Sequence, residues 1–529
     1  MQPVTPQNNS ASVTSGTNIS YWTDSIQQRS FDTLAADIEC DALVVGAGLA
    51  GITTAYCLAK AGRQVVVIDD GNIGSGETGR TTAHVVNALD DFYKDIATMH
   101  GEDNATLAAD SHTAAINFVE STVNELGIDC DFTRLDGYLF LHPSDKEKTL
   151  QDEHDATRKA GIRTDLISGV PGIGSEKGPC LHYPGQSQFH PLKYLMALAD
   201  YIVANGGKIY TQTHASEFKK NKVTANGYTI NAQHIVVATN TPVNNTFTPH
   251  TKQFPYRTYV IGGLVPKGTL AYSLWWDTGD QDSKWVVQPY HYVRLQKYND
   301  EYDLLISGGE DHKTAQADTE GIPEQNRYDN LEQWTRQRFP AMKEIVYKWS
   351  GQVMEPVDSL AYIGRNPGDD NVYVITGDSG NGMTHCTIGG MLVSDLIQGK
   401  KNAWEKLYDP SRVTMSMSSV KDFVEENANT AAQFADYVKA GDIKSQQELH
   451  PGEGAVMNIG MHKVCVYKND NGSLNAYTAI CPHLGCILQW NGEEKTFDCP
   501  CHGSRFTNEG VVINGPALND LKKFDIKDA

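Results

Sequence analysis

The sequence predicts an α/β chain with a dinucleotide-binding core, a β-rich subdomain inserted into it, and a small all-β domain at the C-terminal end. Three observations carry this reading. A strand, glycine turn, helix and second strand surround GAGLAG at 46–51. Strand-like, aromatic-rich runs fill 255–311. Two segments bearing cysteine and histidine, CPHLGC at 481–486 and CPCHGS at 499–504, follow short strand-like runs beyond residue 441. A chain of 529 residues has room for two or three domains.

Residues 1–35 read as tail and lead-in. The first twenty, MQPVTPQNNSASVTSGTNIS, are polar and lack the apolar stretch of a signal peptide, so they are expected to be disordered. No apolar run reaches roughly eighteen residues, so no membrane span is expected, and the absence of an export signal points to the cytoplasm. Lys and Arg total 44 against 65 Asp and Glu, a net charge of −21. That balance argues against nucleic acid or an anionic membrane as partner and suits a basic electron-transfer partner.

Leu43 to Val45 form an apolar β run that ends at Gly46. Gly46 supplies a tight turn, Gly48 lets the backbone approach a pyrophosphate, and Gly51 allows close helix–strand packing. Leu49 and Ala50 open the helix whose N-terminus offers the positive end of a dipole to phosphates. The next strand, QVVVIDD at 64–70, ends in Asp69 and Asp70, and Asp69 is placed to bind a ribose hydroxyl. This Rossmann-like fingerprint serves NAD and FAD alike.

The next segment distinguishes them. IGSGETGRTTAH at 73–84 resembles the loop that runs along FAD in the D-amino-acid oxidase and glycine/sarcosine oxidase family. The resemblance implies FAD contacts at Gly76, Thr78, Arg80, Thr81, Thr82 and Ala83. HIVVATN at 234–240 is similar to the family's later flavin-domain strand, ending at Ala238 and Thr239. PVDSLAYIGR at 356–365 and VYVITGDSGNGMTHCTIGGML at 372–392 resemble its closing segments, which puts Gly382, Met383 and Thr384 near the isoalloxazine. The resemblance covers 36–410, with substrate-side insertions near 100–185 and 245–345. PYRTYVIGGLV (255–265), KWVVQPYHYVRLQ (284–296) and YDLLISGGED (302–311) suit a sheet that roofs the flavin.

The family oxidises a C–H bond beside nitrogen, which implies a small amine, amino acid or N-methylated compound as substrate. Where such a substrate carries a carboxylate, a bidentate arginine is the usual partner. Arg294 is the first candidate and Arg257 the second. Tyr259, His291 and Tyr292 are candidates to hydrogen-bond the substrate or to deprotonate its ammonium group. Each of the five also suits a structural hydrogen bond in a polar sheet. His84 is read as a loop residue rather than a covalent flavin attachment, and Cys386 as core.

Residues 411–440 read as a helical linker with Val420, Phe423, Val424 and Phe434 as its apolar positions. From 441 to 529 the chain reads as the small all-β domain. Its motif spacing is Cys-x-His, fifteen residues, then Cys-x-x-His. Two thiolates (Cys481, Cys499) and two imidazoles (His483, His502) so arranged are the ligand set of a Rieske [2Fe–2S] centre, whose potential lies in a window of about −150 to +300 mV. A zinc site or a disulfide framework is the competing reading. The loops resemble those of respiratory and photosynthetic Rieske proteins. That resemblance implies a disulfide between Cys486 and Cys501 and a cluster hydrogen bond from Ser504. Phe506 stands where those proteins have tyrosine, which removes one hydrogen bond and lowers the potential. The other cysteines (Cys40, Cys57, Cys130, Cys180, Cys386, Cys465) read as reduced thiols.

The whole chain resembles bacterial FAD-dependent oxidoreductases with a C-terminal Rieske domain. The implied architecture is an α/β, D-amino-acid oxidase-like FAD domain with a β-rich substrate subdomain, plus a small all-β Rieske domain. The implied function is amine oxidation, with electrons passing from reduced FAD to the cluster and on to an external one-electron carrier. Two alternatives stand beside it: inward flow from a ferredoxin or reductase to the flavin for reduction or oxygenation, and a non-enzymatic redox carrier or sensor. There is one glycine fingerprint, hence no separate NAD domain.

Overall fold

The computed structural model describes residues 15–244, 252–317, 321–414, 417–437 and 439–526. The expected disorder of residues 1–14 and part of the insertion, 245–251, lie outside them. The flavin-side sheet has the order Tyr362–Arg365, Val372–Thr376, Tyr228–Val237, Ile38–Val45, Val65–Ile68, Lys208–Tyr210. Its inner pairs are parallel: Ile38–Val45 lies between Tyr228–Val237 and Val65–Ile68. The strands Val65–Ile68 and Val372–Thr376 are buried along their whole length, as parallel strands covered on both faces must be. The glycine helix Leu49–Lys60 and the closing helix Gly382–Ile397 pack against each other on one face.

A nine-stranded sheet forms the roof, in the order Ile345–Pro356, Gln253–Pro266, Tyr302–Lys313, Tyr292–Lys297, Leu274–Asp277, Thr133–Phe140, Pro179–Gln188, His84–Val85, with Asp165–Ser168 also paired to Pro179–Gln188. Of the run 284–296 only Tyr292–Lys297 is strand. The C-terminal domain has a three-stranded sheet (Gly454–Ile459, His462–Lys468, Leu474–Thr478) and a four-stranded one (Gln489–Asn491, Thr496–Asp498, Arg505–Thr507, Val512–Asn514).

Two expectations need correction. Residues 15–24 are no loose tail. Tyr21–Asp24 is a short helix, Trp22 is fully buried, and its indole donates to the Thr81 carbonyl at 2.6 Å. The linker helix, Met417–Gln433, is turned the other way round from its apolar pattern. Val420, Phe423, Val424 and Phe434 are exposed, whereas Glu426 is buried, ion-paired with Lys313 and accepting from Tyr256 Oη at 2.9 Å. Among the described residues no helix is long and apolar enough to cross a membrane.

Candidate functional site

A cavity of about 400 Å³ runs from the glycine turn to the roof. Gly46 has φ +106°, and a Cβ there would lie 2.3 Å from the Ala238 carbonyl oxygen. One on Gly51 would lie 1.9 Å from the Gly46 oxygen, so neither position admits a side chain. Gly48 caps the helix, and Leu49 N–H donates to Thr78 Oγ1 at 3.0 Å. Asp69 accepts from the amides of Ala47 (2.6 Å) and Gly71 (2.7 Å). Burial, then Asp70, pushes its carboxyl up to about 7. Gly46, Gly48, Leu49, Ala50, Asp69, Asp70, Gly76, Thr78, Arg80, Thr81, Thr82, Ala238, Thr239, Gly382 and Met383 all line the cavity. The glycine cradle and the acid at the strand end fit a dinucleotide. Gly51, Ala83 and Thr384 stand behind the lining. Ala83 presents its carbonyl to Arg294, and Thr384 Oγ1 hydrogen-bonds His112 Nδ1 at 2.7 Å.

Of the five substrate candidates only Tyr292 lines the cavity. Arg294 is fully buried and donates to the carbonyls of Thr82 (3.1 Å), Ala83 (2.8 Å) and Phe189 (3.2 Å). It braces the flavin loop from behind. Arg257 donates to Ser350 Oγ at 2.7 Å, and Tyr259 Oη meets His312 Nε2 at 2.9 Å. His291 is ion-paired with Asp277 at 2.9 Å and stacks on Trp334 at 4.1 Å. Burial alone would lower its imidazolium, but Asp277 and Glu310 outweigh that and raise it to about 9. Alternation accounts for two of these placements: Thr258 and Val260 face the cavity, whereas Arg257 and Tyr259 face away.

Sequence reasoning passed over the carboxylates that do face the cavity. Asp90 accepts from Tyr290 Oη, and Ser379 Oγ lies 2.5 Å from Asp91 and 3.0 Å from Glu355. Asp311, at the end of the run YDLLISGGED, lies beside Thr258, whose hydroxyl is 2.5 Å from that of Tyr292. The paired acids at 90–91, directly after the flavin loop, were the available signal.

In the C-terminal domain Cys481, Cys499 and His502 are buried, and the His483 and His502 rings lie 5.0 Å apart. Cys499 and Cys481 hydrogen-bond each other, which holds the Cys481 thiol below its ordinary value. Burial lowers both imidazoles to about 4, so both are neutral at pH 7, the form that ligates iron. A Cys486–Cys501 disulfide joins the loops. Among the described residues the sulfurs of Cys486, Cys499 and Cys501 lie within 4.8 Å of one another, but the disulfide consumes two of them and leaves Cys499. The donor set fits a Rieske cluster. Ser504 hydrogen-bonds Cys481, and its Oγ accepts from Ala517 N–H at 3.0 Å. Phe506 is fully buried.

The two sites abut. Arg80 donates to Glu494 Oε1 and to the Ser350 carbonyl, both at 2.8 Å, and Ser350 Oγ donates to Glu494 at 2.6 Å. Arg80 therefore serves the interdomain contact as well as the cavity wall. Gln352 Nε2 donates to the Gly503 carbonyl of the cluster loop at 3.0 Å. Asn514 Nδ2 donates to Glu77 at 3.1 Å, and residues 512–515, 517 and 518 close part of the cavity.

Comparison with known proteins agrees with this arrangement. The family model described as FAD dependent oxidoreductase (DAO) matches residues 41–396, and the Rieske [2Fe-2S] domain model matches 440–525. The Rieske 2Fe-2S iron-sulfur protein YhfW of Bacillus subtilis is 33% identical over 514 residues, 96% of this chain and 97% of that protein. Gamma-glutamylputrescine oxidoreductase of Escherichia coli is 27% identical over 398 residues, 70% of this chain and 86% of that one. The crystal structure of L-proline dehydrogenase from P. horikoshii superposes with TM-score 0.57 at 21% identity, covering 71% of this chain and 98% of the other, which shows a shared fold. The chain belongs to the FAD-dependent oxidoreductase (DAO) family, carries a Rieske domain behind the flavin fold, and has FAD and a [2Fe–2S] cluster as its cofactors.

Proposed function

We propose that this oxidoreductase oxidises a small amine, amino acid or N-methylated compound at a carbon bonded to nitrogen, and that the electrons leave singly through the Rieske domain to an external carrier. When bound, FAD supplies a hydride acceptor and the cluster a one-electron site. The observation that carries this reading is the Gln352–Gly503 hydrogen bond. Gly351, Gln352 and Val353 line the cavity, while Gly503 sits between His502 and Ser504 in the cluster loop. The cluster loops also have an outward side. Pro482 is exposed and His483 half-exposed, whereas His502 is buried. That arrangement leaves one histidine accessible to a partner while the other is buried beside the Gly503 contact to Gln352. The likeness to gamma-glutamylputrescine oxidoreductase supports an amine-containing substrate.

The test is an anaerobic titration of holoenzyme with amines and N-methylated amino acids, following flavin absorbance and the Rieske electron paramagnetic resonance signal together. Flavin bleaching followed by growth of the cluster signal is expected. In His502→Ala, substrate-driven bleaching should survive while reduction of an artificial one-electron acceptor slows. Cluster reduction only from a reduced ferredoxin, with no response to any amine, would reverse the direction of flow.

A further inference from the structure

The cavity beneath the roof is lined by acids that have no ion-pair partner among the described residues. Asp90 and Asp91 come from the loop after His84–Val85, Asp311 from Tyr302–Lys313 and Glu355 from Ile345–Pro356. Their hydrogen-bond partners are neutral: the hydroxyls of Tyr290, Ser379, Ser359 and Thr258 and the side-chain amide of Asn381. Among the described residues none of the four forms an ion pair. Of the cations nearby, Lys94 pairs with Asp95 at 2.5 Å and Arg80 with Glu494, while His291, paired with Asp277, and Arg327 offset the burial of Asp311 only in part. His84 and His385 are kept neutral by burial, lowered to about 3 and about 4. Neither Arg257 nor Arg294 reaches the cavity.

Carboxylates withdrawn from water without a counter-charge shift toward the neutral form. Burial pushes Asp90 up to about 8, Asp311 to about 7 and Asp91 to about 6. Glu355 is raised well above the ordinary carboxylate range by burial and then by Asp91. A bound cation reverses this cost and ionises its neighbours. A free α-carboxylate would gain no counter-charge from these four acids, and Arg80 in the lining is already committed to Glu494.

We infer that the substrate is a diamine or polyamine, a compound with a second cationic nitrogen, which Asp90, Asp91, Glu355 and Asp311 hold while the first nitrogen is presented for oxidation. This rests on the amine-oxidation reading above. The test compares 1,4-diaminobutane, butylamine and N-methylglycine with FAD-loaded holoenzyme. Dissociation constants come from calorimetry and from perturbation of the oxidised flavin spectrum, and reduction from anaerobic bleaching. The diamine should bind at least about tenfold more tightly than butylamine, a difference of about 1.4 kcal/mol. Asp90→Asn and Glu355→Gln should each erase most of that preference while retaining FAD, read from bound-flavin absorbance. Equal binding of diamine and butylamine in the unaltered protein overturns the inference. So does bleaching by N-methylglycine without a diamine response, which leaves amine oxidation standing. Absence of bleaching by every amine overturns the oxidation reading, and this inference with it.

Discussion

Arg294 shows how a residue of the right chemistry can hold a different post. Its guanidinium is planar, charged and buried, as a substrate clamp would be, yet it donates to backbone carbonyls of the flavin loop and of Phe189 beside it. Burial lowers its pKa to about 9, so it stays charged at neutral pH. Arg294→Ala would leave the carbonyls of Thr82, Ala83 and Phe189 short of a donor, at a cost of about 2–4 kcal/mol for the set. The expected result is a lower Tm and weaker FAD retention, with KM changed alike for substrates with and without a carboxylate. A KM increase confined to carboxylate-bearing substrates would restore Arg294 to the substrate site. The glycines were legible for the opposite reason. At Gly46 and Gly51 the backbone itself leaves no room for a Cβ, so residue identity and geometry determine each other.

At the scale of elements, the two cofactor cradles could be read because each is short, local and chemically unusual. The roof strands and the linker helix could be read as elements, but the faces they turn to their neighbours could not. Gln253–Pro266 is buried on both faces along almost its whole length, so alternation does not say which face meets the cavity. Its register against Tyr302–Lys313 also shifts between Arg257 and Tyr259. In Met417–Gln433 the buried contacts are polar, Glu426 to Lys313 and Asn429 to Gln316, and they outweigh the apolar pattern in orienting the helix. The turn that bears Glu494 was equally silent in sequence, though it joins the domains. Burial would raise the Glu494 carboxyl, but Arg80, Arg505 and Arg257 hold it below the ordinary value. A carboxylate depressed in the folded state stabilises above its unfolded pKa, about 4.3, and that contribution is lost as pH falls through the folded value. Glu494→Gln leaves buried arginines short of charge, so it should cost roughly 3 kcal/mol at pH 7. The Tm gap between wild type and variant should be wide at pH 7 and narrow below about pH 4. A gap unchanged across that range would mean that the carboxylate's charge is not what joins the domains.

For the whole molecule, the question is whether the Rieske domain is a docked partner or a travelling one. The contacts favour docking. Arg80 and Glu494 have side chains 3% and 0% exposed, and the bridge from Gln352 to Gly503 is buried. His214 Nε2 donates to the Leu518 carbonyl at 2.9 Å from the other side of the cavity. Salt screens exposed charges over about 8 Å at physiological ionic strength but reaches buried pairs far less. If electrons follow the proposed route, transfer from flavin to cluster should therefore be independent of protein concentration and nearly flat in rate between low salt and about 0.5 M, a range in which surface-steered encounters slow steeply. Added viscogen should leave it unchanged as well, since no domain has to travel. In the proposed route, delivery to an external carrier is a different step, between separate molecules, and on a chain of net charge −21 it should slow with salt if that carrier is basic. Stopped-flow absorbance of the flavin, with freeze-quenched resonance spectra of the cluster, separates the two. A salt- or viscosity-dependent first step would show that the docked arrangement opens during turnover.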